Sequence, residues 1–191
     1  MGYLLVRRIY VPVRISAALD QTTMTDLLAG LMPLTVNLGE EGRADRAMRI
    51  ELPDRVEFVS GQGIRIHTGA QLKWTVGGAN LSFTISSVTI LLRPLIVASR
   101  INFPIVIEEA DLKNVPSILD RSVVAKVNER LAAKPDAVGW SFGETLALRL
   151  EMPKSMAPVA AFEMEAANAA VDVDATQMTL KMDLPMSFVH A

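Results

Sequence analysis

Between Gly139 and Gly143 the chain reads Gly-Trp-Ser-Phe-Gly, the spacing of a nucleophile elbow, and Asp172, Asp174, Asp183 and His190 follow in the order of a Ser, Asp, His triad. An acyl-transfer site of that kind needs a strand before the serine and a helix after it, so that the hydroxyl stands on a strained, exposed turn. Here the flanking pattern predicts the reverse: a helix precedes the motif, and Glu144 to Met152 alternates as a strand. Ser141 is then the solvent-facing position between Trp140 and Phe142. The expectation is a protein that is not an enzyme.

The other reactive groups are scattered. His67 and His190 are the two histidines, and neither has a second histidine or a carboxylate at metal-ligand spacing. Glu40-Glu41 fall in a loop with Arg43 and Arg46, and Glu108-Glu109 close a strand. Adjacent carboxylates on a strand point to opposite faces, so such a pair makes no acid-base couple. Gly61-Gln62-Gly63 and Gly77-Gly78 lack the downstream helix and lysine of a phosphate cradle and read as hairpin turns. With no cysteine, thiolate chemistry and cysteine metal sites are excluded, and no cofactor or metal is expected. The 19 basic and 21 acidic side chains leave a net charge of -2 without a basic cluster, so nucleic acid is not an expected partner.

Those groups must be carried by a strand-rich scaffold. Half of the 191 residues are apolar and 21% charged, which fits one domain over residues 1–191. The odd positions from Tyr3 to Leu19 form an apolar face at period two, as one strand or two joined near Pro12. The period returns at Met48, Ile50, Leu52, at Val56, Phe58, at Ile64, Ile66 and at Leu72, Trp74, Val76, with turn residues at Leu52-Pro53-Asp54, Ser60 to Gly63 and Gly77 to Asn80. Leu81, Phe83, Ile85 then gives way to Val88, Ile90, Leu92, a change of parity that predicts a β-bulge at Ser86-Ser87. The last strand is Met178, Leu180, Met182, Leu184, Met186, Phe188. Two segments read as helices. Thr22 or Thr23 caps one that carries Met24, Leu27, Leu28 and Leu31 and stops at Pro33; the other runs from about Pro116 to Lys134 with Leu119, Val123, Val127 and Leu131 on its apolar stripe. Apolar runs such as Ile101 to Ile107 are far below the roughly 18 residues of a membrane span. Arg7, Arg8 and Arg14 interrupt the opening segment, so the sequence as it stands points to the cytoplasm, or to the periplasm where a leader has been removed.

Once polar alternates are assigned to water, the expected inner surface combines Leu27, Leu28 and Leu31 of the first helix with Leu119, Val123, Val127 and Leu131 of the second. The sheet adds Trp74, Phe83, Ile90, Phe103, Leu148, Leu180, Met182 and Met186. Ten methionines, several on the last strand, suit an interior that adapts to varied apolar contents.

The order of elements resembles the tubular lipid-binding (TULIP) superfamily: a short helix ending in Met32-Pro33-Leu34, hairpins of the type IELPDRVEFVSGQGIRI and GAQLKWTV, a long bent strand, the stretch EEADLKNVPSILDRSVVAKVNERLAA, and a final pair of strands. The resemblance implies an α+β fold in which a long, highly curved antiparallel sheet wraps one or two amphipathic helices. It implies an apolar groove, lined by the inner positions above, that carries a lipid or fatty-acyl ligand without catalysis, with peripheral membrane contact. The alternative expectation is an assembly protein whose groove or strand edge binds a protein partner or its own copy, as a homodimer.

Overall fold

The computed structural model describes residues 8–39, 46–76, 79–112 and 117–190. Strands β1 (Arg8–Val11) and β2 (Arg14–Asp20) lead into helix α1 (Gln21–Leu31) and strand β3 (Leu34–Asn37). Three 14-residue strands follow, β4 (Arg46–Val59), β5 (Gly63–Val76) and β6 (Ala79–Leu92). A small hairpin, β7 (Leu95–Val97) and β8 (Arg100–Asn102), precedes β9 (Ile105–Leu112) and helix α2 (Ser117–Ala132). Then come β10 (Gly139–Ser141), the short helix α3 (Phe142–Leu146), β11 (Leu148–Glu151), β12 (Val159–Met164), β13 (Ala169–Val173), β14 (Gln177–Asp183) and β15 (Met186–His190).

Among the described residues the strands pair antiparallel throughout and form four open sheets, ordered β3-β4-β5-β6-β9, β13-β14-β2, β1-β15-β12-β11 and β10-β8-β7. This corrects the expectation of one highly curved sheet, because prolines and bulges interrupt the ladders. Pro53 is not in a turn: β4 continues through it with shifted register between Ile50 and Arg55. Proline cannot donate to the ladder and is tolerated at such a bulge, and the buried Thr68 hydroxyl donates to the Leu52 carbonyl at 2.8 Å beside it. The bulge read from the parity change is present, since the register of β6 on β9 shifts between Ile85 and Ser87 and leaves both Ile85 and Val88 buried.

The chain's first and last described strands form one ladder. β2 pairs with β14 from Asp20↔Gln177 to Arg14↔Asp183, the Leu184 N–H donates to the Val13 carbonyl at 2.7 Å, and β1 pairs with β15 from Val11↔Met186 to Arg8↔Val189. A single register covers all of these pairs, and within it Pro12 stands opposite Pro185. Pro12 and Pro185 face each other as a non-hydrogen-bonded pair, their ring nitrogens turned away from the shared ladder, and at this point the strands divide between two sheets.

Helix α1 is capped by Asp20, not by Thr22 or Thr23. The Asp20 carboxylate accepts from the Thr23 N–H at 2.8 Å, and that bond holds its pKa below the usual carboxylate range. The helix buries Met24 and Leu28 and lies along β4, whose outer side beyond the β3 pairing is met by a side chain: the Gln21 carboxamide donates to the Val56 carbonyl at 2.7 Å. Helix α2 treats the opposite edge in the same way. The Asn128 carboxamide bonds both the N–H and the C=O of Ile107 on β9, each at 2.8 Å, completing the outer side of that strand as a neighbouring strand would. Beyond the helix, the Lys134 ammonium donates to the carbonyls of Asn37 and Gly39, at 3.0 and 2.6 Å, just after β3.

Two apolar clusters result. The larger holds Met24, Leu28, Ile50, Ile66, Ile90, Val127 and Leu131 among others; the smaller is built on Ile101, Phe142, Ala166, Met182 and Leu184. Phe103 and Val171 pack against both.

Candidate functional site

The serine motif has the context that its flanks did not predict: strand β10 leads into Ser141 and helix α3 follows at once. Side chains close this turn. The Trp140 indole donates to the Thr145 hydroxyl at 2.9 Å, which donates to the Ser141 carbonyl at 2.7 Å, and the Trp140 ring stands edge-on to the fully buried Phe142. Both motif glycines are packing positions. A Cβ on Gly139 would lie 2.5 Å from the Asn102 side chain, and one on Gly143 would lie 2.5 Å from the Ser99 side chain. The Gly143 N–H also donates to the Ser99 carbonyl at 3.0 Å. The motif thus docks β10 and α3 on the β7–β8 hairpin. His67 hydrogen-bonds Thr89 and lies 3.5 Å from Glu57, while the His190 Nε2 atom is buried with no partner among the described residues. Neither contact supplies a base to Ser141. Among the described residues no three His, Cys, Asp or Glu side chains stand together as metal ligands.

The expected inner surface divides. Leu28, Ile90, Val127 and Leu131 are buried in the larger cluster, with Trp74, Phe83, Phe103 and Val123 packed partly against it. Met182 belongs to the smaller cluster with Leu180 against it, and Met186 is half-buried outside both. The Leu119 side chain lies outside the described residues, as do Glu40-Glu41, Arg43 and Gly77-Gly78. Three positions are not interior: Leu27 and Leu31 are 48% and 60% exposed, and Leu148 41%. One row of α1, Met24 and Leu28, meets β4, which leaves the adjacent row in water; Leu148 sits on β11, an outer strand with all four residues exposed. At Val127, 2% exposed among Ile90 and Leu131, an indole has to overpack its neighbours. We expect Val127→Trp to lower stability by about 1 to 3 kcal/mol, read as a reduced chemical denaturation midpoint.

An open groove of about 640 Å³ lies between β9 and α2, but Glu108, Glu109, Arg121 and Asn128 give it a polar rim. The Arg65 guanidinium bonds Glu108 through two nitrogens, at 2.6 and 3.1 Å, and this holds its carboxyl below the usual range. That groove suits an apolar ligand poorly.

A different surface suits one well. Register places Leu150, Phe162, Phe188 and Ile9 side by side across the sheet β11-β12-β15-β1, and Leu148, Met164, Met186 and Val11 in the next row. Paired residues share a face, so eight apolar side chains line one side of this sheet, while Arg149, Glu163, Ser187 and Tyr10 line the other. The Phe162 and Phe188 rings lie 5.6 Å apart at its centre. Leu148, Leu150, Ile9 and Val11 are exposed and the central four half-buried. His190 alternates onto the same side as Met186 and Phe188. Of the eight, the sequence reading places only Leu148 and Met186 on the inner surface, and Phe162 is the one that no sequence pattern picks out. By sequence the chain matches no protein-family model and no curated protein. Among the described residues no helix is long and apolar enough to cross a membrane.

Proposed function

We propose that the protein is a non-enzymatic binder of a lipid or similarly apolar chain, and that the chain lies on the apolar face of β11-β12-β15-β1. The observation that carries this reading is the pair of apolar rows aligned across four strands, with Ile9, Val11, Leu148 and Leu150 open to water and the four central side chains half-buried. Exposed apolar patches of a few hundred Å² mark binding surfaces more often than scattered residues do. Met186 adds an adaptable side chain at its centre, beside Met164, which also packs against the smaller apolar cluster. Kinship with the tubular lipid-binding class belongs to the same proposal. Its support is that Asn128 and Lys134 tie α2 and its exit to β9 and to the end of β3, the two outer strands of one sheet.

Native mass spectrometry after gentle purification, with uptake of a fluorescent fatty acid, tests the reading. Leu150 is 47% exposed on an outer strand, so Leu150→Glu should leave the denaturation midpoint unchanged. A carboxylate under an acyl chain should weaken uptake by about tenfold or more. Ser141→Ala should leave uptake intact. A ligand-free mass with no uptake, or uptake indifferent to Leu150→Glu, refutes the proposal. The second reading, assembly through a strand edge, is favoured by the outer side of β1 and β2, which no strand among the described residues pairs with.

A further inference from the structure

From Arg8 to Asp20 the chain is an outer strand in both sheets that it enters, and among the described residues nothing pairs with its outer side. Ile9, Tyr10, Val11 and Ile15 are 52%, 63%, 36% and 37% exposed along it. Long exposed edges of this kind are templates for another strand. The Leu184 bond to the Val13 carbonyl shows which backbone groups are free: odd-numbered residues bond inward, so the N–H and C=O groups of Tyr10, Arg14, Ser16 and Ala18 point out.

We infer that this edge pairs with the same edge of a second copy, antiparallel about a two-fold axis at Arg14. The occupant follows from self-complementarity. Centring on Arg14 overlaps the whole segment and sets Ile9 against Leu19, Val11 against Ala17 and Val13 against Ile15, apolar with apolar in each case. The same register sets position 8, an arginine, opposite Asp20 at both ends of the overlap. The two central arginines are each neutralised by their own Asp183, at 2.8 Å. Tyr10 exchanges both backbone bonds with Ala18. Pro12 accepts from Ser16 but cannot donate back, so the pairing lapses by one bond on each side of the axis. Pairing this way covers Ile9, Val11 and Ile15, which the single chain leaves in water. The inference goes beyond ligand binding: the edge shares Ile9 and Val11 with the proposed ligand face, but Leu150 stands on the far edge of that sheet, so the two tests fail independently.

The chain has no cysteine, so a disulfide from a single introduced thiol is necessarily intermolecular. Opposed residues in a hydrogen-bonded antiparallel pair stand about 5.5 Å apart at Cα, within disulfide reach. Mild oxidation of the full chain should therefore convert Arg14→Cys to a covalent dimer. Ala18→Cys, whose copy lies far along the ladder, should stay unlinked. Sedimentation of the unmodified chain should show a dimer, and Ala18→Pro, which removes an outward N–H that the monomer does not use, should shift it to monomer. A concentration-independent monomer, a dimer unaffected by Ala18→Pro, or cross-linking as ready at Ala18 as at Arg14 overturns the inference.

Discussion

Gly63→Ala should be among the most destabilising single substitutions in this protein, by about 3 to 5 kcal/mol, and should be read as a collapse of the denaturation midpoint. Gly63 opens β5 at φ 150°, where a side chain is strained whatever the space, and its Cβ would meet the Leu92 carbonyl oxygen at 2.0 Å. The obstacle is backbone of β6, held between β5 and β9, so it cannot swing aside as a flexible side chain would. Ile64 pairs with Leu92 directly, and both are buried. Any retreat therefore opens the core. Gly61→Ala is the control: it has φ 68° but nothing within 4 Å of the added carbon, so only the left-handed backbone term of about 1 kcal/mol applies. Equal losses at the two glycines would show that the turn conformation, and not the contact with Leu92, sets the cost.

Asn128→Leu should lower stability by about 2 to 4 kcal/mol, because an apolar side chain of similar size leaves two backbone groups of Ile107 without partners. The native carboxamide satisfies both at 2.8 Å. Asn128→Asp separates the two bonds. A carboxylate can still accept from the Ile107 N–H but opposes the Ile107 carbonyl, so its stability should fall at neutral pH and recover in part when acid protonates the carboxyl. The check is a pair of denaturation curves at neutral and mildly acidic pH. A Leu variant as stable as the native chain would mean that water replaces the amide without loss.

Local pattern carried the sequence reading wherever a feature depends on near neighbours. The bulge at Ser86-Ser87 was legible because the apolar parity changes within one strand, and α2 was legible because its stripe extends over several turns. Features set by distant partners were not. Leu27 and Leu28 are equally apolar, and only the placement of α1 on β4 decides that Leu28 is buried. Asn128 reads as one more polar residue in a helix until β9 is seen to lack a neighbour on that side. The short β10–α3 turn is held by Trp140 and Thr145 contacts that no period of two or 3.6 announces. The apolar face of β11-β12-β15-β1 becomes visible only after register aligns four strands, since Phe162 alone is an ordinary strand phenylalanine.

The ladder between β2 and β14 joins residues such as Arg14 and Asp183, which are 169 positions apart. During synthesis at about 5 to 20 residues per second, the early strand must wait roughly 10 to 30 seconds before its partner leaves the ribosome. The β4–β5–β6 hairpins are local and can close in that interval, whereas Arg8 to Asp20 stays without its native neighbour. An unbroken strand of that length and apolar content would be a nucleus for off-pathway pairing between nascent chains. Pro12 divides it into a four-residue and a seven-residue piece, and Pro185 does the same for the strand that arrives last, so the residue pair at which the finished strands part into two sheets also shortens the sticky segment while the protein is being made.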